Sequence, residues 1–152
     1  MDNIKTEISD YYLYPKDAAA LIIEYDDYYL LQLRDNKSHI FFPNKFGLFG
    51  GAINKNESSR DCVLREIKEE LNLNLKDNRI TYVTNVSFEV KTKVIKRYIY
   101  KTTLNEREFN SIKLCEGQKV EKLCKDSLLS CNLAPYDYLA LWIYLSSSRL
   151  KV

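Results

Sequence analysis

Residues 50–73, GGAINKNESSRDCVLREIKEELNL, decide the fold. Within them, residues 58–71 carry the clearest helical pattern in the chain. Apolar side chains recur there at helical spacing, which predicts the face that packs on a core. They are Val63, Leu64, Ile67 and Leu71. Ahead of the helix, Gly50 and Gly51 interrupt a short strand predicted over residues 47–53.

A second face of the same helix is acidic. Glu66, Glu69 and Glu70 are three and four residues apart, so their carboxylates share one side of the helix. Like charges at this spacing repel each other by about 0.2–0.5 kcal/mol per pair on an exposed helix. A bound divalent cation would offset the repulsion, because hard cations such as Mg²⁺ bind carboxylate oxygens. Taken alone, an acidic helix face is more often a solvated surface.

The joint spacing with the preceding glycine favours the metal site. Gly51, Glu57 and the run REIKEELNL over residues 65–73 resemble the Nudix box, G-x5-E-x7-R-E-U-x-E-E-x-G-U, where U is aliphatic. Every fixed position matches except Asn72, which stands where the family has glycine. We interpret this position as a left-handed cap that ends the helix, where asparagine is the next best residue after glycine.

The resemblance implies a fold and a reaction. The expected fold is α+β, the Nudix fold, an α/β/α sandwich around a mixed β-sheet. The expected reaction is Mg²⁺-dependent hydrolysis of a phosphoanhydride bond in a nucleoside diphosphate derivative, with Mn²⁺ able to substitute. That substrate would be a nucleotide sugar or a nucleoside triphosphate. The metal would activate a water and stabilise the leaving group.

The resemblance also implies metal ligands. Glu66, Glu69 and Glu70 would supply carboxylates, with Glu70 the first choice, and the carbonyl oxygen of Gly50 would be a further ligand. Arg65 would hold the glutamates in place through charge-assisted hydrogen bonds.

Three residues are candidates for the remaining catalytic roles. Glu57 would bind a water of the metal or tie its loop to the helix. The general base would be a box glutamate such as Glu69 or an acid on a distant loop. Glu116 is the best distant candidate because glycine follows it and a predicted strand begins just beyond. An exposed loop acid without a catalytic role is an equally good interpretation of Glu116.

Candidates for substrate binding come from the residues before the box. Arg34 closes a predicted strand and could bind a phosphate, or it is an ordinary surface arginine. Phe46 could line a pocket, although aromatic residues more often belong to the core. The basic stretch of residues 91–97 would attract an anionic substrate, or it is a solvated or edge strand protected by lysines.

The remaining patterns predict a single domain over residues 1–152. Residues 18–24 and 28–34 form a predicted hairpin, residues 35–44 a loop, and residues 135–145 a helix that starts near Pro135. The other predicted elements are strands 79–90, 93–104 and 118–124 and a short helix at 105–112.

Composition narrows the class of protein. The 152 residues carry a formal net charge of +2, too small to argue for nucleic acid. The polar N-terminus predicts no signal peptide, and no apolar run is long enough to span a membrane. Four cysteines without a C-x-x-C pair, and one histidine, argue against zinc and fit free thiols in a reducing cytoplasm. Whether the protein forms a homodimer stays open.

Two alternatives to a small-molecule hydrolase remain. An RNA 5′-end pyrophosphohydrolase would need a basic surface along several phosphates, which the near-neutral charge disfavours. A non-catalytic Nudix domain that senses a ligand would be expected to have lost box glutamates, and here all are present.

Overall fold

The computed structural model describes residues 16–90 and 92–147. Its strands are β1 (Ala18–Tyr25), β2 (Tyr28–Leu33), β3 (Phe46–Gly47), β4 (Phe49–Ala52), β5 (Thr81–Val90), β6 (Lys93–Thr103) and β7 (Lys119–Cys124). Its helices are α1 (Ser59–Leu71), α2 (Glu106–Asn110), α3 (Lys125–Leu128) and α4 (Pro135–Ser147). These elements include all those that the sequence predicts, with ends displaced by at most two residues except as follows.

Three details differ from the sequence prediction. The strand predicted over residues 47–53 is divided into β3 and β4, because both polar groups of the Leu48 peptide bind side chains. A 3₁₀ turn at Asp77–Arg79 delays the start of β5 to Thr81. The four-residue helix α3 has no periodic pattern long enough to predict.

The sheet is mixed, with β1 at its centre. β1 runs antiparallel to β2 and β4 and parallel to β6, and β5 continues the sheet beyond β6. β1 and β2 pair only beside their turn and then diverge. β4 pairs with the start of β1 and β3 with the end of β2, so the segment from β3 to β4 fills the gap between them. β7 pairs along the other side of β2.

Each face of the sheet carries its own core, because successive side chains of a strand point to opposite faces. In β1, Ala19, Leu21 and Ile23 belong to the core under α1, whereas Ala20 and Ile22 belong to the core under α3 and α4. The sheet therefore lies between helices on both faces, which confirms the predicted α+β sandwich.

The ends of α1 follow local capping rules. Ser58 is the N-cap, and its hydroxyl accepts a hydrogen bond from the backbone N–H of Asp61 at 3.0 Å. Asn72 ends the helix in the left-handed conformation, with φ 54° and ψ 29°, and its N–H donates to the carbonyl of Lys68. The interpretation of Asn72 as a left-handed cap is confirmed.

The basic strand is neither an edge strand nor wholly solvated. β6 lies between β1 and β5, so the edge on this side is β5. Arg97 is 8% exposed and forms an ion pair with the fully buried Asp137 of α4. Lys91, the first residue of the basic stretch, lies outside the described residues. None of the helices in the described part of the chain has the length and apolarity that crossing a membrane requires.

Candidate metal and catalytic site

One guanidinium group gathers the acidic side chains around α1. Arg65 donates from Nε and Nη2 to the two carboxylate oxygens of Glu57, at 2.7 and 3.0 Å. Its Nη1 donates to Glu66 Oε1 at 2.7 Å and to Glu69 Oε2 at 3.1 Å. Nη2 also donates to the carbonyl oxygen of Ala52 at 3.1 Å. Arg65 thus fixes three carboxylates and the end of β4 relative to the helix.

Glu57 ties the loop before α1 to the helix. The bidentate bond from Arg65 holds the pKa of the Glu57 carboxyl near 2, well below its usual range, and a bond of 2.9 Å from the Asn54 N–H adds to this effect. Both carboxylate oxygens are therefore engaged by protein donors. Of the two roles considered from the sequence, this geometry matches the structural tie.

Glu70 lies apart from this arginine, on the side of α1 that faces β4. It is 5% exposed. Its Oε2 accepts from the backbone N–H of Gly50 at 2.9 Å, and its Oε1 accepts from Nε2 of Gln32 at 3.1 Å. Both donors are neutral. Burial, together with the nearby negative charges of Glu66 and Glu116, raises the pKa of the Glu70 carboxyl to about 8.

The two glycines of β4 allow the close approach of neighbouring groups. Gly50 has φ +145°, and a Cβ there would lie 2.1 Å from the carbonyl oxygen of Ala19 in β1. A Cβ on Gly51 would lie 2.4 Å from Oε1 of Glu66. Any side chain at Gly51 would therefore displace the Glu66 carboxylate.

The three glutamates of α1 do not share one environment, although their spacing predicts a single face. Glu70 is buried against β4, Glu66 is mostly buried beneath Gly51, and the Glu69 side chain is 51% exposed. Burial raises the pKa of the Glu66 carboxyl, and the bond from Arg65 opposes that rise.

Glu116 lies in the loop that runs beside the end of α1. The N–H of the preceding residue, Cys115, donates to the carbonyl oxygen of Glu70 at 2.8 Å. The negative charge of Glu116 is close enough to raise the pKa values of both Glu66 and Glu70. The fold therefore brings this distant acid to the glutamates of α1, and its side chain is exposed.

The carboxylates fit a hard divalent cation whose coordination is completed by ligands other than side chains. Within residues 16–90 and 92–147, no three acidic, histidine or cysteine side chains are arranged to hold a metal by themselves. Mg²⁺ is commonly bound through one or two carboxylates, several waters and the phosphates of a substrate. Glu70 and Glu66 offer such carboxylates, and a cation beside them would offset the mutual repulsion of Glu66, Glu70 and Glu116.

The two candidates for substrate binding contact groups other than the glutamates. Arg34 donates from Nε to the carbonyl oxygen of Phe41 at 3.0 Å, and its charge acts on the buried Asp137. Phe46 in β3 packs against the core under α3 and α4, and the ammonium of Lys119 lies 5.5 Å from its ring centre. Neither side chain forms a bond with the glutamates.

Two buried polar residues connected to the site, Gln32 directly and Asp137 through Leu48, were not identified from the sequence. Gln32 interrupts the apolar run of β2, and Asp137 is the one charged residue in the sequence of α4. Both are buried, at 4% and 0% exposure. A lone polar residue in an apolar element was the available signal, because buried polar groups require partners.

The chain is similar to a known family in sequence and to solved structures in fold. The family model for the NUDIX domain matches residues 14–130. No curated protein matches the sequence. The E. coli ORF135 protein superposes with a TM-score of 0.69 at 23% identity, over 90% of this chain and 94% of that one. The MutT protein of Methanosarcina mazei Go1 gives 0.69 at 19% identity, over 91% and 100%.

A third similar structure contains a ligand. It is the NUDIX domain of Shewanella oneidensis NrtR complexed with ADP ribose, with a TM-score of 0.67 at 20% identity, over 91% of each chain. At identities this low, the structural likeness establishes the fold, and the family match rests on the sequence.

Proposed function

The chain belongs to the Nudix hydrolase family, and from this premise we propose that it uses Mg²⁺ to hydrolyse a phosphoanhydride bond in a nucleoside diphosphate derivative. One observation carries the proposal: Arg65 binds the carboxylates of Glu57, Glu66 and Glu69 together, and the buried Glu70 lies beside them with only neutral donors. A divalent cation beside Glu66 and Glu70 would offset the repulsion between their carboxylates.

Each box residue has a part in this proposal. Glu70 and Glu66 would bind the metal, and the carbonyl oxygen of Gly50 would be a further ligand. Glu69 would add a third carboxylate only after its exposed side chain turned towards them. When bound, Mg²⁺ neutralises the diphosphate, lowers the pKa of a water and stabilises the leaving phosphate. Arg65 keeps Glu66 and Glu69 oriented.

A general base must accept the proton of the attacking water. We assign this role to Glu116, with Glu69 as the alternative. Two observations support Glu116: its side chain is exposed, and its negative charge acts on the carboxyls of Glu66 and Glu70. Glu57 is excluded from this role because both of its oxygens are bound by Arg65.

The substrate class rests on the family and on one relative. ADP ribose, the ligand of the NrtR domain, is a nucleoside diphosphate linked to a second group. We propose a ligand of this general kind for residues 1–152, acting as a single domain, and Arg34 as a phosphate contact. The packing of Phe46 in the core supports a role in holding β3.

All four cysteines are free thiols, which supports a cytoplasmic location.

The experiment is a screen with purified protein and Mg²⁺. Nucleotide sugars, dinucleotides, nucleoside triphosphates and 5′-triphosphorylated RNA are each incubated with the wild type and with Glu70→Gln, and released nucleoside monophosphate and phosphate are measured. Turnover of at least one small nucleotide by the wild type and its loss in Glu70→Gln support the proposal. Turnover of RNA alone would favour the RNA hypothesis. Binding without turnover of any substrate would favour a ligand sensor.

A further inference from the structure

We propose that Gln32 is a positioning residue for the metal site, which fixes the Glu70 carboxylate against β4. This inference rests on the proposed function, because that function assigns Glu70 to the metal. Gln32 lies in β2, in the apolar sequence YYLLQL, and is 4% exposed. A buried amide in an apolar strand is destabilising unless it is hydrogen-bonded, so the partners of Gln32 indicate why it is there.

The Gln32 amide nitrogen uses both of its hydrogens. Nε2 donates to Glu70 Oε1 at 3.1 Å and to the carbonyl oxygen of Leu48 at 3.1 Å. The Leu48 carbonyl can only accept, as can the ionised Glu70 carboxylate, so the amide nitrogen faces them and the reversed amide would bring oxygen against oxygen. The other end of the amide is closely covered, since a Cβ on Gly117 would lie 3.1 Å from Gln32 Oε1. Gln32 therefore fits between Glu70 and the loop that carries Glu116.

The Leu48 peptide, which holds Gln32, is itself held from the other face of the sheet. Its N–H donates to Asp137 Oδ2 at 3.0 Å. The second oxygen of Asp137 accepts from Arg97 Nε at 3.0 Å and forms an ion pair with Nη2 at 2.9 Å. A series of buried polar groups thus runs from Glu70 of α1, through Gln32 and Leu48, to Asp137 of α4 and its partner Arg97 of β6.

This series of polar groups gives Glu70 a fixed orientation. The carbonyl of Leu48, between β3 and β4, accepts the hydrogen bond that holds Gln32 in place. Two residues later, in β4, the N–H of Gly50 donates to the other oxygen of Glu70. Both oxygens are thus set by the same backbone segment. Groups that orient a metal ligand in this way typically change metal affinity or activity by about 10–100-fold when removed.

The first test measures Mn²⁺ binding by electron paramagnetic resonance, independently of turnover. Gln32→Met keeps the length and volume of the side chain and removes the donor. We expect it to bind Mn²⁺ about 10–100-fold more weakly, with a fall in kcat of the same order. KM should change little, since the proposed contact is to the metal ligand and not to the substrate. Glu70→Gln, which removes the ligand itself, is the reference.

Thr102→Val is the matched control. The Thr102 hydroxyl is also buried and donates to a backbone carbonyl, that of Arg79, at 2.8 Å, and it makes no contact with the glutamates. It should bind Mn²⁺ and turn over substrate as the wild type does. An equal loss in Thr102→Val and Gln32→Met would show a general effect of stability and would overturn the positioning role.

The remaining outcomes separate this inference from the proposed function. Wild-type Mn²⁺ affinity and kcat in Gln32→Met, with binding lost in Glu70→Gln, would overturn the role of Gln32 and leave the function standing. Wild-type Mn²⁺ affinity in Glu70→Gln would overturn the function itself.

A measurement on the wild type covers the case in which Gln32→Met does not fold. In ¹⁵N-labelled protein, the side-chain amide signals of Gln32 should shift on addition of Mg²⁺. Those of Asn85 in β5, which donates to the Tyr82 hydroxyl instead, should not. Unchanged Gln32 signals at saturating Mg²⁺ would contradict the inference.

Discussion

Glu70→Gln separates the proposed metal site from the scaffold that carries it. The substitution keeps the size of the side chain and removes its charge. If Glu70 is a metal ligand, turnover should fall by at least about 100-fold, the scale on which preorganised electrostatic groups act. The fold should survive, because the apolar face of α1, including the fully buried Ile67, is unchanged.

The effect on stability depends on pH, and its sign follows from the Glu70 pKa. The carboxyl titrates near 4.5 in its ordinary state and at about 8 in the folded protein. Below pH 4.5 both states are protonated and the shift has no effect. As the pH rises towards 8, the unfolded chain releases the proton and the folded protein retains it, so the free energy of unfolding falls. By pH 8 this fall is about 3 kcal/mol larger than at pH 5.

The variant removes this pH dependence and loses one hydrogen bond, which lowers the free energy of unfolding at every pH. Both oxygens of Glu70 accept hydrogen bonds, from Gln32 and Gly50, and a glutamine offers only one oxygen. The donor left unsatisfied costs about 1–3 kcal/mol at every pH. We therefore expect metal-free Glu70→Gln to be less stable than the wild type at pH 5 and at least as stable at pH 8.

The assay pairs thermal or urea unfolding in chelator, at pH 5 and pH 8, with initial rates in saturating Mg²⁺. The stability difference between variant and wild type should shift in favour of the variant by about 3 kcal/mol over this range. A stability difference between variant and wild type that is the same at both pH values would refute the raised pKa of Glu70. Normal turnover of the variant would refute the role of Glu70 as a metal ligand.

Three further substitutions test neighbouring parts of the account. Ile67→Ala, in the core under α1, should cost about 2–5 kcal/mol in unfolding experiments, while the fraction that remains folded keeps its kcat. Asn72→Gly should change stability by less than about 1 kcal/mol and leave turnover unaltered, because both residues accept the left-handed cap at φ 54°; a loss of activity in the folded variant would reveal a role for the asparagine side chain. Gly51→Ala places a Cβ 2.4 Å from Glu66 Oε1, so displacement of that carboxylate should lower kcat by about 10–100-fold; an active variant would show that the position of Glu66 is unimportant.

Local rules predicted most of the elements, because they depend on residues close in sequence. The apolar periodicity gave α1 its buried face, and the left-handed preference of asparagine gave its end at Asn72. The split between β3 and β4 could not be predicted in this way. It depends on Leu48 binding Gln32 and Asp137, which are 16 and 89 residues away in the chain.

The candidate site was predicted in part for the same reason. The spacing of the box identifies Arg65 and its glutamates, and the structure brings Glu116 beside them. The spacing could not show that Glu70 is buried while Glu69 is exposed, because that difference arises from the approach of β4 to one side of the helix. The burial of Arg97 in the basic strand could not be predicted for a related reason. Its partner Asp137 belongs to α4 and lies 40 residues later in the chain.

If Mg²⁺ takes part in the reaction, turnover should depend on the metal. With the best substrate from the screen, hydrolysis is followed by ³¹P NMR in Mg²⁺, after addition of excess chelator, and after Mg²⁺ or Mn²⁺ is restored. We expect cleavage at a phosphoanhydride bond with Mg²⁺, none with chelator, and recovery with either metal. Full turnover in excess chelator would contradict this expectation.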